Sequence, residues 1–209
     1  VCGLHRDGSS GLHRMAEKIK CRKGIMIKIS ITGPESTGKS WLAEQLAKHY
    51  ATAWVPEFAR TYLEEIGRPY TFGDILFIAQ QQHKSEVEAG KHSDLIFCDT
   101  DFCVTRIWCQ VKYGKCHPWI ESELDKNEYG LYLLCDTDLP WQYDPLREHP
   151  EMRQELFAMY HNLMKEKHFN FRIVKGMDEN RLLNAIRFVD EFLKTIRLKE
   201  NAKGSWFAG

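Results

Sequence analysis

The chain has 209 residues, enough for one domain with a full hydrophobic core. Lysine plus arginine and aspartate plus glutamate each number 29, so the formal net charge is zero, which argues against a broad nucleic-acid or membrane-surface binder, because those carry a basic excess. No apolar stretch approaches bilayer length, and the N-terminal residues show no charged-then-apolar signal pattern.

Residues 1–24 are polar, basic and rich in Gly and Ser, without periodicity, and read as a disordered leader or an added extension. Folding is expected to start near Met26. An apolar, β-branched run, Ile25 to Thr32, predicts the first strand, and Leu42, Leu46 and Tyr50 mark one face of the helix that follows. Between them lies Gly33-Pro34-Glu35-Ser36-Thr37-Gly38-Lys39-Ser40, which fits the phosphate-loop pattern G-x-x-x-x-G-K-[ST] in the strand-loop-helix setting it requires. Glycine at positions 33 and 38 lets the backbone approach an anion. The loop N–H groups and the positive end of the helix then converge on it. Lys39 is expected to reach the β- and γ-phosphates of ATP, and the Ser40 hydroxyl to bind Mg²⁺. Gly33, Glu35, Ser36, Thr37, Gly38, Lys39, Ser40 and Trp41 are therefore the candidate nucleotide-binding residues. The motif does not identify what receives the phosphate.

Ala53-Trp54-Val55-Pro56 reads as a short second strand, and Glu57 to about Ile66 as a helical stretch. Thr71 or Asp74 caps a helix from Asp74 to about Ala89. Leu95 to Cys98 is a third strand, apolar throughout as in a buried parallel sheet. It runs into Asp99-Thr100-Asp101, after which Phe102 to Tyr113 is helical and Gly114 stops it. Residues 115–128 read as an irregular or partly helical insertion. Leu131 to Cys135 is the fourth strand, and Thr137 to Pro150 a polar, aromatic loop. A helix is expected from Pro150 to about Lys167, a fifth strand over Phe171 to Val174, and a last helix from Asp178 with Leu182, Ile186, Val189, Leu193 and Ile196 on its apolar face. Residues 25–197 then form the folded domain and 198–209 a flexible tail. Strands alternating with helices call for an α/β, three-layer arrangement, a parallel sheet with helices on both faces, whose ligands bind beyond the carboxyl ends of the strands.

Each acidic strand end has two readings. Asp99 either orients Mg²⁺ opposite Ser40 or caps the next helix, a role that Asp101 fits better. Glu57 either accepts the proton of an attacking hydroxyl, in competition with Asp101, or stabilises a helix start. Arg147, in the loop after the fourth strand, either neutralises charge on the transferring phosphoryl group or pairs on the surface with Asp144 or Glu148, with Arg153 a weaker candidate. An aromatic acceptor ring has Trp54, Tyr70, Trp108, Trp119, Trp141 and Tyr143 to stack on.

Seven cysteines without a C-x-x-C pair make neither a disulfide framework nor a zinc site, and point to a reducing compartment, the cytoplasm. Cys116-His117 supplies two metal-ligand types, too few for a site.

With these residues in place, the chain resembles the ribosylnicotinamide kinase domain of NadR-type proteins. GPESTGKS (33–40), WVPEFAR (54–60), FCDTD (97–101), YGKCHPW (113–119) and LPWQYDPLREHP (139–150) carry the likeness, which runs from about Met26 to about Leu193. The resemblance implies a phosphate-loop NTPase fold with five parallel strands in the order 2-3-1-4-5. It implies ATP- and Mg²⁺-dependent phosphorylation of the ribose 5′-hydroxyl of nicotinamide riboside, giving nicotinamide mononucleotide for NAD salvage. Lys39 and Ser40 carry over as ATP and Mg²⁺ residues, and Glu57, Asp99 and Asp101 match acidic positions of the family. Trp41 stands where the family has a small hydroxyl residue. NadR-type proteins also carry an adenylyltransferase domain and in some cases a DNA-binding domain ahead of this region, and 25 residues cannot hold either, so those activities are not expected of it. The alternatives are a kinase of the same fold with another nucleoside, nucleotide or coenzyme-precursor acceptor, or a regulatory ATP-binding module.

Overall fold

A computed structural model describes residues 26–204; the expected leader over 1–24 lies outside them. Five parallel strands, β1 (Ile27–Thr32), β2 (Ala53–Val55), β3 (Leu95–Asp99), β4 (Leu131–Cys135) and β5 (Phe171–Val174), form one sheet in the order β2-β3-β1-β4-β5. The helices are α1 (Lys39–Tyr50), α2 (Phe58–Glu65), α3 (Phe72–Gly90), α4 (Phe102–Tyr113), α5 (Pro118–Lys126), α6 (Arg153–Glu166) and α7 (Asp178–Gly204). No described helix is long and apolar enough to cross a membrane.

Side-chain alternation along β1 divides the core. Ile27, Ile29 and Ile31 face α1 and α7, where they meet Leu42, Leu46, Ala185 and Val189. Full burial of each such isoleucine contributes about 1.5–3 kcal/mol. Lys28, Ser30 and Thr32 occupy the other face and are also buried. That is tolerable only because each has a partner. Lys28 Nζ donates to Glu86 (3.3 Å) and Glu128 (2.7 Å), and the Ser30 and Thr32 hydroxyls donate to Asp101 (2.5 and 3.2 Å). Around them α3, α4, α5 and α6 close a second core built on Ile75, Ile96, Ile107, Ile120, Leu134 and Tyr160.

Several boundaries depart from the pattern reading, each for a local reason. Helix α3 starts two residues early because Thr71 forms a reciprocal cap: its side chain accepts from the Asp74 N–H (3.3 Å) while the Asp74 carboxylate accepts from the Thr71 N–H (2.7 Å). The insertion contains α5, opened by Pro118 in its first turn and by His117, whose Nδ1 accepts from the Trp119 N–H at 3.1 Å. That ring nitrogen is thus committed to a cap, and no group of three or more His, Cys, Asp or Glu side chains suited to a metal occurs among the described residues. Helix α6 begins at Arg153, since Met152 first closes a turn with its N–H on the His149 carbonyl (3.3 Å). Helix α7 continues through Gly204, past residue 198 where the flexible tail was expected. Cys98, Cys103, Cys109 and Cys135 are buried free thiols.

Candidate active site

All five strands end at one edge of the sheet, and the phosphate loop rises from the central one. A Cβ at Gly33 would stand 2.9 Å from the carbonyl oxygen of Cys135 on β4, and its φ of +127° belongs to glycine alone. Gly38, at φ +74°, turns the chain into α1, whose first hydrogen bond runs from the Leu42 N–H to the Gly38 carbonyl (3.0 Å). Thr37 braces the loop by donating its hydroxyl to the Pro34 carbonyl (2.8 Å), and the Lys39 ammonium rests on the same carbonyl (2.9 Å).

This loop forms one wall of a cavity of about 790 Å³, a size that suits small-molecule ligands. Every phosphate-loop residue from Gly33 to Trp41 lines it, and so do Glu57, Arg147 and a wall that includes Leu63, Tyr70, Ile107 and Trp108. Trp41 keeps 40% of its surface exposed there.

The acidic strand ends separate into different jobs. Asp99 is buried, and its Oδ1 has no hydrogen-bond partner. Burial first, and then the neighbouring Glu57 carboxylate, push its carboxyl up to about 6, against the pull of Ser40 and Lys39. An orphaned buried carboxylate oxygen beside a serine hydroxyl and a loop built for phosphates is the donor set Mg²⁺ takes, since that ion uses one or two protein oxygens and completes its shell with phosphate and water. Glu57 precedes α2 without any side-chain cap bond to it, lines the cavity and accepts from the Thr100 hydroxyl at 3.2 Å. Of these three carboxylates only Glu57 lines the cavity; Asp99 is buried and does not line it, and Asp101 is turned to another task. Its oxygens accept from Ser30, Thr32 and the Val104 N–H (3.0 Å), so it caps α4 beneath the sheet edge and does not line the cavity.

Residues 136–152 arch over the loop and are fastened to it. Ser36 Oγ accepts from the Gln142 N–H (2.8 Å), and the Glu35 carboxylate accepts from the His149 N–H (3.2 Å). The Arg147 guanidinium donates to the Gln142 carbonyl (2.6 Å) and to Ser36 Oγ (3.4 Å), with Asp144 3.8 Å away. Arg153, in the first turn of α6, donates to the Leu139 and Ser36 carbonyls (2.9 and 3.1 Å). Trp141 lies 6.0 Å from each of these guanidiniums. The surface pair proposed between Arg147 and Glu148 is absent from the described contacts; Glu148 instead accepts from Tyr70 (2.7 Å) and Lys112 (3.1 Å).

Two cations escaped the sequence reading. Arg181 on α7 is wholly buried and donates to Asp138 (2.7 Å) and to the carbonyls of Gly176 (2.8 Å), Thr37 (2.9 Å) and Asp136 (3.0 Å), joining the ends of β4 and β5 to the phosphate loop. Arg60 bridges α2 to the arch through Asp144 (2.9 Å). Nothing in their sequence spacing marks either one, because both act across the tertiary fold.

The aromatic candidates also sort by position. Trp54 packs into the α1–α7 core, Trp119 against Phe102 in the other, and Tyr143 is 87% exposed. Tyr70 and Trp108 line the cavity edge to face, 4.9 Å apart, with the indole N–H donating to the phenol oxygen (2.9 Å). Burial pushes the Tyr70 phenol up to about 12.

Comparison with known proteins places this geometry. A family model described as an AAA domain matches residues 28–181. The trifunctional NAD biosynthesis/regulator protein NadR of Salmonella typhimurium is 28% identical over 175 residues, which are 79% of this chain and 42% of the relative; the chain thus spans less than half the length of that relative. Among solved structures, NadR in complex with NR superposes with a TM-score of 0.71 at 20% identity, covering 81% of this chain and 51% of that one. NadR in complex with NAD and AMP-PNP gives 0.69 at 20% identity, covering 81% and 50%. At that identity the superpositions establish the phosphate-loop fold, with its strand order.

Proposed function

The chain belongs to this AAA-domain family, and on that premise we propose that it is a kinase of NAD salvage, moving the γ-phosphoryl group of ATP to the ribose 5′-hydroxyl of nicotinamide riboside. The observation that carries the proposal is a single cavity shared by a phosphate loop, an acidic side chain at a strand end and an aromatic wall. Relationship to a NAD-biosynthetic protein, and a fold shared with one holding NR and another holding AMP-PNP, support this choice of acceptor and donor.

In this mechanism the backbone N–H groups of residues 33–40 and the Lys39 ammonium hold the β- and γ-phosphates. Ser40 and Asp99 are the residues that would hold Mg²⁺, which when bound offsets phosphate charge. Glu57 takes the proton of the ribose hydroxyl as its oxygen forms a bond to the γ-phosphorus. The bond from that phosphorus to the β–γ bridging oxygen breaks, and ADP leaves. Arg147 supplies positive charge to the equatorial oxygens, and the arch over the loop excludes water as a competing acceptor. The edge-to-face pair of Tyr70 and Trp108 offers the acceptor ring an aromatic wall to pack against.

Incubation with ATP, Mg²⁺ and nicotinamide riboside, followed by mass spectrometry, is expected to show nicotinamide mononucleotide and ADP in equal amounts. Product no greater than that of a Lys39→Ala control overturns the proposal. Equal or faster turnover of other nucleosides in a parallel panel overturns the choice of acceptor.

A further inference from the structure

The turn Asp99-Thr100-Asp101 contains the least comfortable backbone near the cavity. Thr100 has φ +90°, a region that a β-branched residue adopts only under constraint. The constraints are visible on both sides. Its N–H donates to the Ile31 carbonyl (3.1 Å), Asp99 is held in β3, and Asp101 is pinned by Ser30, Thr32 and the Val104 N–H. The turn aims the buried Thr100 hydroxyl at Glu57, to which it donates at 3.2 Å.

A second contact fixes the same pair from behind. Gln82, buried on α3, accepts from the Phe58 N–H at 2.9 Å and donates its amide to the Asp99 carbonyl at 3.4 Å. One side chain thus ties the peptide following Glu57 to that of Asp99. Glu57 needs such support, since no bond to its own helix holds its carboxylate.

We infer that Thr100 and Gln82 are positioning residues that set the direction and spacing of the Glu57 carboxylate relative to Asp99. The inference rests on the proposed role of Glu57 as proton acceptor. The strained turn at Thr100 keeps Asp99 in β3 while it places the Thr100 hydroxyl on Glu57 and Asp101 on the α4 cap.

Thr100→Val tests it, because valine keeps the β-branched shape and the backbone strain and removes only the hydroxyl. The kcat for riboside phosphorylation is expected to fall roughly 10- to 100-fold, the scale of a misaligned reacting group. The KM for ATP should stay within about two-fold, as for an interaction made in the transition state, and the melting temperature should be little changed. Thr100→Ser, which restores the hydroxyl, is expected to recover most of the rate, and Gln82→Met to repeat the loss of kcat. Wild-type kcat in Thr100→Val, failure of Thr100→Ser to recover, or a rate loss that tracks a lowered melting temperature overturns the inference. An inactive wild-type protein defeats the kinase reading and the positioning role with it, whereas an active wild type with an indifferent Thr100→Val defeats the positioning role alone.

Discussion

Asp99→Asn should make the protein more stable and less active at once. The Asp99 carboxyl is raised from 3.8 to about 6, with burial the leading cause, so in the metal-free protein its ionised form is less favourable in the fold than in the unfolded chain. At about 1.4 kcal/mol per pH unit, the penalty at neutral pH reaches about 3 kcal/mol. The sign follows from proton binding: between pH 4 and pH 6 the folded state holds the proton more tightly, so this group's contribution to stability is present in acid and is lost as pH rises through about 6. Asparagine cannot ionise and escapes the loss. Part of the gain is taken back by the buried amide that replaces an unpartnered oxygen, leaving an increase of about 1–3 kcal/mol at pH 7 and almost none at pH 4. For a domain of this size that is a rise of roughly 3–9 °C in melting temperature. Urea denaturation in EDTA at the two pH values measures the difference, and a coupled ADP assay should show loss of Mg²⁺-dependent turnover. A variant less stable than wild type at pH 7, or a difference that ignores pH, would refute the reasoning.

Two further substitutions probe the cations. Arg147→Ala is expected to lower kcat by about 10²-fold, the scale of a lost charge-stabilising donor, with a smaller change in the KM for ATP. A loss confined to KM would remove it from the phosphoryl-transfer step. Arg181→Met should cost about 3 kcal/mol in urea denaturation, because it leaves the carbonyls of Thr37, Asp136 and Gly176 without this donor and Asp138 with the Gly176 N–H in place of two donors. A cost below about 1 kcal/mol would show that water replaces it.

What could be read from the sequence was what local chemistry dictates. The phosphate loop, the apolar run of β3 and the stop at Gly114 each follow from a few adjacent residues, and the alternation of strands and helices called for the parallel sheet that is observed. The role of Asp101 as the α4 cap was equally local. The absence of Asp101 from the cavity lining was not, because it depends on Ser30 and Thr32 pointing to the back of the sheet, which alternation along β1 decides only once its neighbours are known. Arg181 and Gln82 were invisible for the same reason: Arg181 reaches Thr37 across 144 residues, and Gln82 reaches Asp99 and Phe58 across 17 and 24. Helix ends at Thr71 and Arg153 shifted because a single cap or turn sets them.

The phosphate loop, as it stands, is already engaged. Lys39 leans on Pro34, while Arg147 grips Gln142 and Ser36. On the proposed reading, a phosphate donor trades contacts with these groups instead of meeting bare charges, so its net affinity is the difference between two sets of bonds.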